Sequence, residues 1–162
     1  MDEIINEVLK FSDNILELGK PILDNRIDLF EEMYNIKLPT DFCHFISQYN
    51  GICLMGTEVY GFDTENVESI ESVYYYEHFE VMVPQWKHLV PFSPDGGGNF
   101  YCFDTNSLTD KGDCPIVFWI SNYPYTEMDC PEIVNCSFVD WFKQVMLEWT
   151  LESYDYDGNE RA

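Results

Sequence analysis

The chain has 162 residues and carries 30 Asp and Glu against 8 Lys and Arg, a formal charge of −22 at pH 7. That imbalance excludes a nucleic-acid binder and an anionic membrane surface as partner, and it favours a basic protein partner. The length suits one domain, aromatic residues at 17% suit a packed core, and no apolar run reaches the roughly 18 residues needed to span a bilayer.

Residues 2–18 place Ile4, Ile5, Val8, Leu9, Phe11, Ile15, Leu16 and Leu18 at helical intervals, and Gly19 and Pro21 close that helix. A second helix over about 24–34 turns Ile27, Phe30 and Met33 inward and stops at Asn35, a residue type that tolerates the left-handed conformation. LPTDFCHFISQYNG, residues 38–51, follows as an amphipathic helix punctuated at both ends. Pro39 fixes its start, and Thr40 or Asp41 offers a side-chain oxygen to the first turn. Phe42, Phe45, Ile46 and Tyr49 make one apolar stripe, and Asn50-Gly51 ends it.

Beyond Gly51, ICLMG and TEVYGF read as short strands. Helical spacing returns over 65–79 through Val67, Ile70, Val73 or Tyr74, and Glu77. HLVPFSPDGGGNFYCFDT is a hairpin around a glycine-rich turn. In its second arm Phe100, Cys102 and Asp104 alternate with Tyr101 and Phe103, so Asp104 marks where the strand emerges. PIVFWIS is an interior strand. Ser137 and Asp140 form an N-capping pair for a last helix that lines up Phe138, Trp141, Phe142, Val145 and Trp149. Residues 152–162 read as an acidic flexible tail. The order of elements predicts an α+β fold in a single domain, residues 1–151, with one central, mainly antiparallel or mixed sheet packed by N-terminal helices and a C-terminal helix.

Motifs for chemistry are weak. Cysteines at 43, 53, 102, 114, 130 and 136 contain no CxxC pair, and MDEIINEVLK lacks the basic and long apolar regions of a signal peptide. Free thiols in a reducing cytoplasm are therefore expected. Cys43 and His44 are adjacent on a helix and point about 100° apart, which does not suit a nucleophile and its base. The scattered Cys and His give no zinc pattern. Asp95-Gly96-Gly97-Gly98 lacks the Lys-Ser/Thr of a phosphate loop and reads as a turn. Asp155-Tyr156-Asp157-Gly158 matches only a fragment of a calcium loop. Neither catalytic residues nor a metal site nor a cofactor is expected, and nothing selects a pair of carboxylates for hydrolysis from so many.

Charge is segregated. No Lys or Arg occurs between Lys37 and Lys87, whereas Asp41, Glu58, Asp63, Glu65, Glu68, Glu71, Glu77 and Glu80 all do. Such one-sided clustering opposes folding by self-repulsion, which points to an interaction surface.

Residues 27–51 resemble the SUKH superfamily, which includes yeast Smi and Knr cell-wall regulators and many bacterial immunity proteins. Its pattern of Glu, Gly, Leu-Pro, an aromatic, Phe and Asn-Gly is matched by Glu31, Asn35, Leu38-Pro39, Phe42, Phe45 and Asn50-Gly51, with Asn35 standing for the Gly. The hairpin ending at Asp104, then CPIVFW and SFVDWF, extend the likeness to about residue 150. The resemblance implies an immunity protein without enzymatic turnover that binds a polymorphic toxin, commonly a nuclease. An acidic surface would occlude the toxin's basic active site. The expected partner-binding residues are Glu58, Tyr60, Asp63, Glu65, Glu68 and Glu71, with Asp95 and Asp104 from the neighbouring loops. A regulatory scaffold and a carboxylate-dependent hydrolase are the competing functions.

Overall fold

The first helix is shorter than its periodicity predicts. α1 (Asp2–Val8) gives way to Ser12, Asp13 and Asn14, which favour a turn, and Leu16–Leu18 is a strand, β1. Two partners draw the chain out of the helix. The Ser12 amide donates to the Tyr156 carbonyl at 2.8 Å, and β1 pairs with β2 (Ile52–Leu54). The computed structural model describes residues 1–22, 25–62, 68–126 and 128–161.

Asn35 adopts the left-handed conformation expected of it, φ 52° and ψ 48°, and ends α2 (Arg26–Tyr34). Met33, expected inward, is instead 72% exposed. The inner face is set by Phe30, whose ring meets Phe62 at 5.5 Å and Tyr74 at 5.3 Å. α3 (Thr40–Gln48) buries Phe42, Phe45 and Ile46 as predicted. Neither Thr40 nor Asp41 caps it through a side chain; the Thr40 amide donates to the Gly112 carbonyl at 2.9 Å, so a distant loop satisfies the first turn.

The fold is α+β, and the described residues form two antiparallel sheets in place of the one expected. β1, β2 and β3 (Thr57–Val59) form the first; β4 (Leu89–Pro94), β5 (Phe100–Asp104), β6 (Ile116–Trp119) and β7 (Glu132–Asn135) form the second in sequence order, leaving β6 interior. The two meet where the Tyr60 amide donates to the Phe92 carbonyl at 2.8 Å, just beyond the end of the short β3. Between them α4 (Ile70–Tyr75) starts at a capping box of Ser69 and Ser72 and runs on as a π turn, Tyr76–Glu80, while the first residues of the expected helix, 65–67, lie outside the described residues.

Ser137 caps the last helix as expected, accepting from the Asp140 amide at 3.1 Å. α5 (Phe138–Trp141) widens into a π turn, Phe142–Glu148, before α6 (Trp149–Ser153). A π turn takes up extra chain relative to an α turn and rotates the helix beyond it. Thr150 consequently faces the core, while Trp149, expected inward, is 48% exposed.

The main core is aromatic. Phe92 stacks on Phe103 at 4.2 Å, Phe42 and Phe138 meet edge to face at 5.3 Å, and Trp141 meets Phe92 at 4.8 Å. The opposite face of the second sheet is covered by a smaller cluster of Leu89, Cys102, Val117 and Trp119 with Trp86 and Tyr125. Both faces of that sheet are thus covered over β4–β6, whereas Ile133 on β7 stays exposed. In the acidic end of the chain, Tyr156 packs on Phe11 at 4.9 Å and donates to the Glu7 carboxylate, and Asp155 accepts from the Asp157 and Asn159 amides at 2.9 Å each.

Candidate functional site

Strand alternation builds the site. In the first sheet Glu17, Cys53 and Glu58 are cross-strand partners in one row. Their neighbours Leu16, Ile52, Leu54 and Val59 are buried in the core, so this row lies on the opposite face. Just past β3, the Tyr60 ring is buried and its hydroxyl donates to Glu68 Oε2 at 3.1 Å, which draws a third carboxylate to the same place. A groove of about 180 Å³ results, bounded by Glu17, Glu58 and Glu68 and floored by Gly19, Asn50 and Gly61.

The floor explains the Asn-Gly that ends the motif. Asn50 Nδ2 donates to the Phe62 carbonyl at 2.7 Å, and the Phe62 amide returns a bond of 2.7 Å to Asn50 Oδ1. One side chain thereby imitates a pair of strand bonds. Backbone approaches so closely that a Cβ on Gly19 would lie 1.9 Å from the Asn50 carbonyl oxygen, and one on Gly61 2.3 Å from it.

Titratable groups in the groove register its negative field. Burial raises the Glu58 pKa, and the Glu68 and Glu17 carboxylates add to the effect. Cys53 is raised by burial and then by Glu58 and Glu17, and Tyr60 by burial and then by Glu68. A cation placed here would offset the carboxylates' part in each of these shifts. A second groove, of about 550 Å³, shares Glu68 and continues past Ser72, Tyr75, Tyr76 and Glu80 to Phe100.

Of the expected binding residues, Glu58, Tyr60 and Glu68 converge on this site. Glu71 faces α2 instead, with Arg26 Nη1 at 3.6 Å. Asp95 organises its own turn, accepting from the Gly97 and Asn99 amides at 2.7 and 2.8 Å; burial works to raise its carboxyl, but these bonds and the Asn99 side chain prevail and hold it low. Asp104 accepts from Ser107 Oγ at 2.7 Å and has His88 Nε2 at 3.7 Å. Asp63 and Glu65 lie outside the described residues. Glu17 and Cys53 were not foreseen, although the alternation in ILELG was the available signal for the first.

The motif glutamate has a structural task. Glu31 is buried, accepts from the Leu38 amide at 2.8 Å and pairs with Lys37, tying the end of α2 to the start of α3. A family model described as SMI1-KNR4 cell-wall (SUKH_5) matches residues 1–147. The chain belongs to the SUKH superfamily. No curated protein matches this SUKH chain. Among the described residues no helix is long and apolar enough to cross a membrane, and no three His, Cys, Asp or Glu side chains are grouped to hold a metal ion.

Proposed function

We propose that this SUKH protein is a cytoplasmic immunity protein that binds and silences a cognate toxin domain, a nuclease by preference, without turnover. The convergence of Glu17, Glu58 and Glu68 on one groove carries this reading. A nuclease active site is basic because it holds phosphates. An acidic groove on a chain of charge −22 attracts such a surface over distance, accelerates encounter and covers the substrate path once docked. Cations of the toxin would replace the mutual repulsion of the three carboxylates with attraction. The acids beyond Glu68, among them Glu80, extend the attractive surface.

The test is co-expression with the product of the neighbouring gene, where the cognate toxin domain is expected. The parent is expected to rescue growth, and Glu58→Lys with Glu68→Lys is expected to lose rescue while remaining folded. Failure of the parent to rescue sinks the immunity reading. One observation favours a second function, a carboxylate-dependent hydrolase: Glu58 has a raised pKa beside two further carboxylates, as a general acid requires. Glu58→Gln separates the two, because it would abolish hydrolysis of any substrate yet leave most of the groove's charge for toxin binding.

A further inference from the structure

α2 and the α4–π helix lie side by side, joined by Tyr34, whose ring meets Tyr74 at 4.4 Å and Phe79 at 6.4 Å. Their outer faces are unexpectedly apolar for so charged a chain. Leu29, Tyr75 and Phe79 are each about half exposed, and Met33 is more exposed still. Tyr75 and Phe79 touch at 5.2 Å, and a groove of about 350 Å³ opens over Leu29, Phe30, Met33 and Tyr34. Apolar patches of this kind on a soluble chain mark contact sites. Methionine and aromatic side chains suit such contacts because they adapt or anchor without much loss of freedom.

The rim states the chemistry of the occupant. Exposed Asp28 and Glu32 stand beside Leu29 and Met33 on α2, exposed Glu80 follows Phe79, and Arg26, which lines the groove, has Glu71 at 3.6 Å. A second copy of this chain would bring the same acids against them and is repelled. A partner carrying an apolar stripe flanked by Lys and Arg satisfies both the floor and the rim. We infer that the face formed by Leu29, Met33, Tyr75 and Phe79 docks an amphipathic, cationic segment of the toxin, so that the partner is held by an apolar anchor here as well as by charge in the acidic groove. The inference rests on the immunity reading for the partner's identity, but not for the chemistry of the face.

The probe is a synthetic helical peptide with leucines on one side and lysines on the other, titrated into the full chain at high salt, beside a scrambled peptide of equal charge. Met33→Glu with Phe79→Glu alters only exposed positions. Because it adds two negative charges, attraction by charge alone predicts tighter binding to the variant. The apolar anchor predicts the reverse, a Kd weakened by about tenfold or more, with the scrambled peptide bound poorly throughout and Met33→Leu behaving as the parent. Unchanged or tighter binding to the double variant overturns the inference. So does a dimer of the parent, seen by sedimentation at high salt, that Met33→Glu dissociates, since the face would then belong to a second copy. Rescue of growth is read separately. A parent that fails to rescue removes the immunity reading, and the peptide titration still decides the face. A parent and a double variant that both rescue fully, with peptide binding unaltered, remove the docking face alone.

Discussion

Asn50 is the residue on which the floor of the acidic groove depends, and replacing it gives a quantitative test. Asn50→Ala deletes both bonds to Phe62, each 2.7 Å long and part-buried. Bonds of this kind contribute about 0.5–1.5 kcal/mol each, and the stranded Phe62 amide and carbonyl add a desolvation cost, so a loss of about 2–4 kcal/mol is expected. Asn50→Asp is the sharper variant. It keeps an acceptor for the Phe62 amide but sets a carboxylate oxygen against the Phe62 carbonyl, beside Glu17, Glu58 and Glu68. At pH 7 it should therefore be less stable than Asn50→Ala. The introduced carboxyl would have its pKa raised in the folded state, so the deficit should shrink as pH falls and the protonated group donates to the carbonyl. Urea unfolding followed by tryptophan fluorescence measures both variants, with the midpoint lowered and the slope unchanged. An Asn50→Ala midpoint within about 0.5 kcal/mol of the parent would refute the bridging role, a margin typical of inconsequential surface changes. An Asp variant more stable than the Ala variant at pH 7 would refute the two-way geometry.

Three further outcomes are expected. Trp141→Ala should cost about 3–5 kcal/mol as a fully buried ring is removed, whereas Trp149→Ala should cost less than about 1 kcal/mol; urea unfolding distinguishes them. Glu77 is buried, and burial raises its pKa against the lowering effect of the bond from Ser121 at 2.8 Å. The folded state thus holds this proton more tightly than the unfolded chain, so the group's contribution to stability is present in acid and is lost as pH rises through its folded pKa. Glu77→Gln should stabilise the protein at pH 7 and lose that advantage in acid, as read by unfolding at the two pH values. Glu58 is raised by burial and by its acidic neighbours in the free protein, and a cationic partner would lower it. Toxin binding should release protons and weaken as pH falls through the Glu58 pKa, which calorimetry in buffers of different ionisation enthalpy detects.

Local signals made part of this molecule legible. The hairpin of β4 and β5 needs only a glycine-rich turn between alternating arms, and α3 needs only its stripe and punctuation. Ile15, Leu16 and Leu18 suit a helix or a strand equally well, and the decision lies with β2, which is remote in sequence. A helical reading of this segment leaves Glu17 off the site, because only the strand β1 sets it in a row with Cys53. Charge segregation points to Glu58 and Glu68, with Tyr60 an aromatic residue inside the same segment, but it identifies an acidic region and cannot say which acids share a face. Glu71 shows the limit: it belongs to the same acidic run as Glu68 yet faces Arg26 across to α2. Regular periodicity turns Met33 and Trp149 inward because it carries no information on where Phe30 finds its ring partners or where a helix widens.

The π turn at Phe142–Glu148 bears on how SUKH chains are compared with one another. A π turn is what an inserted residue becomes when a helix absorbs it without changing its neighbours. A relative one residue shorter in this region would close the turn to a regular α-helix, keep Phe138, Trp141 and Phe142 in the core, and leave the equivalents of Thr150 facing inward and of Trp149 facing outward, as they do here. A single-residue gap there marks a change of helical pitch, and the residues on either side of it remain structurally equivalent.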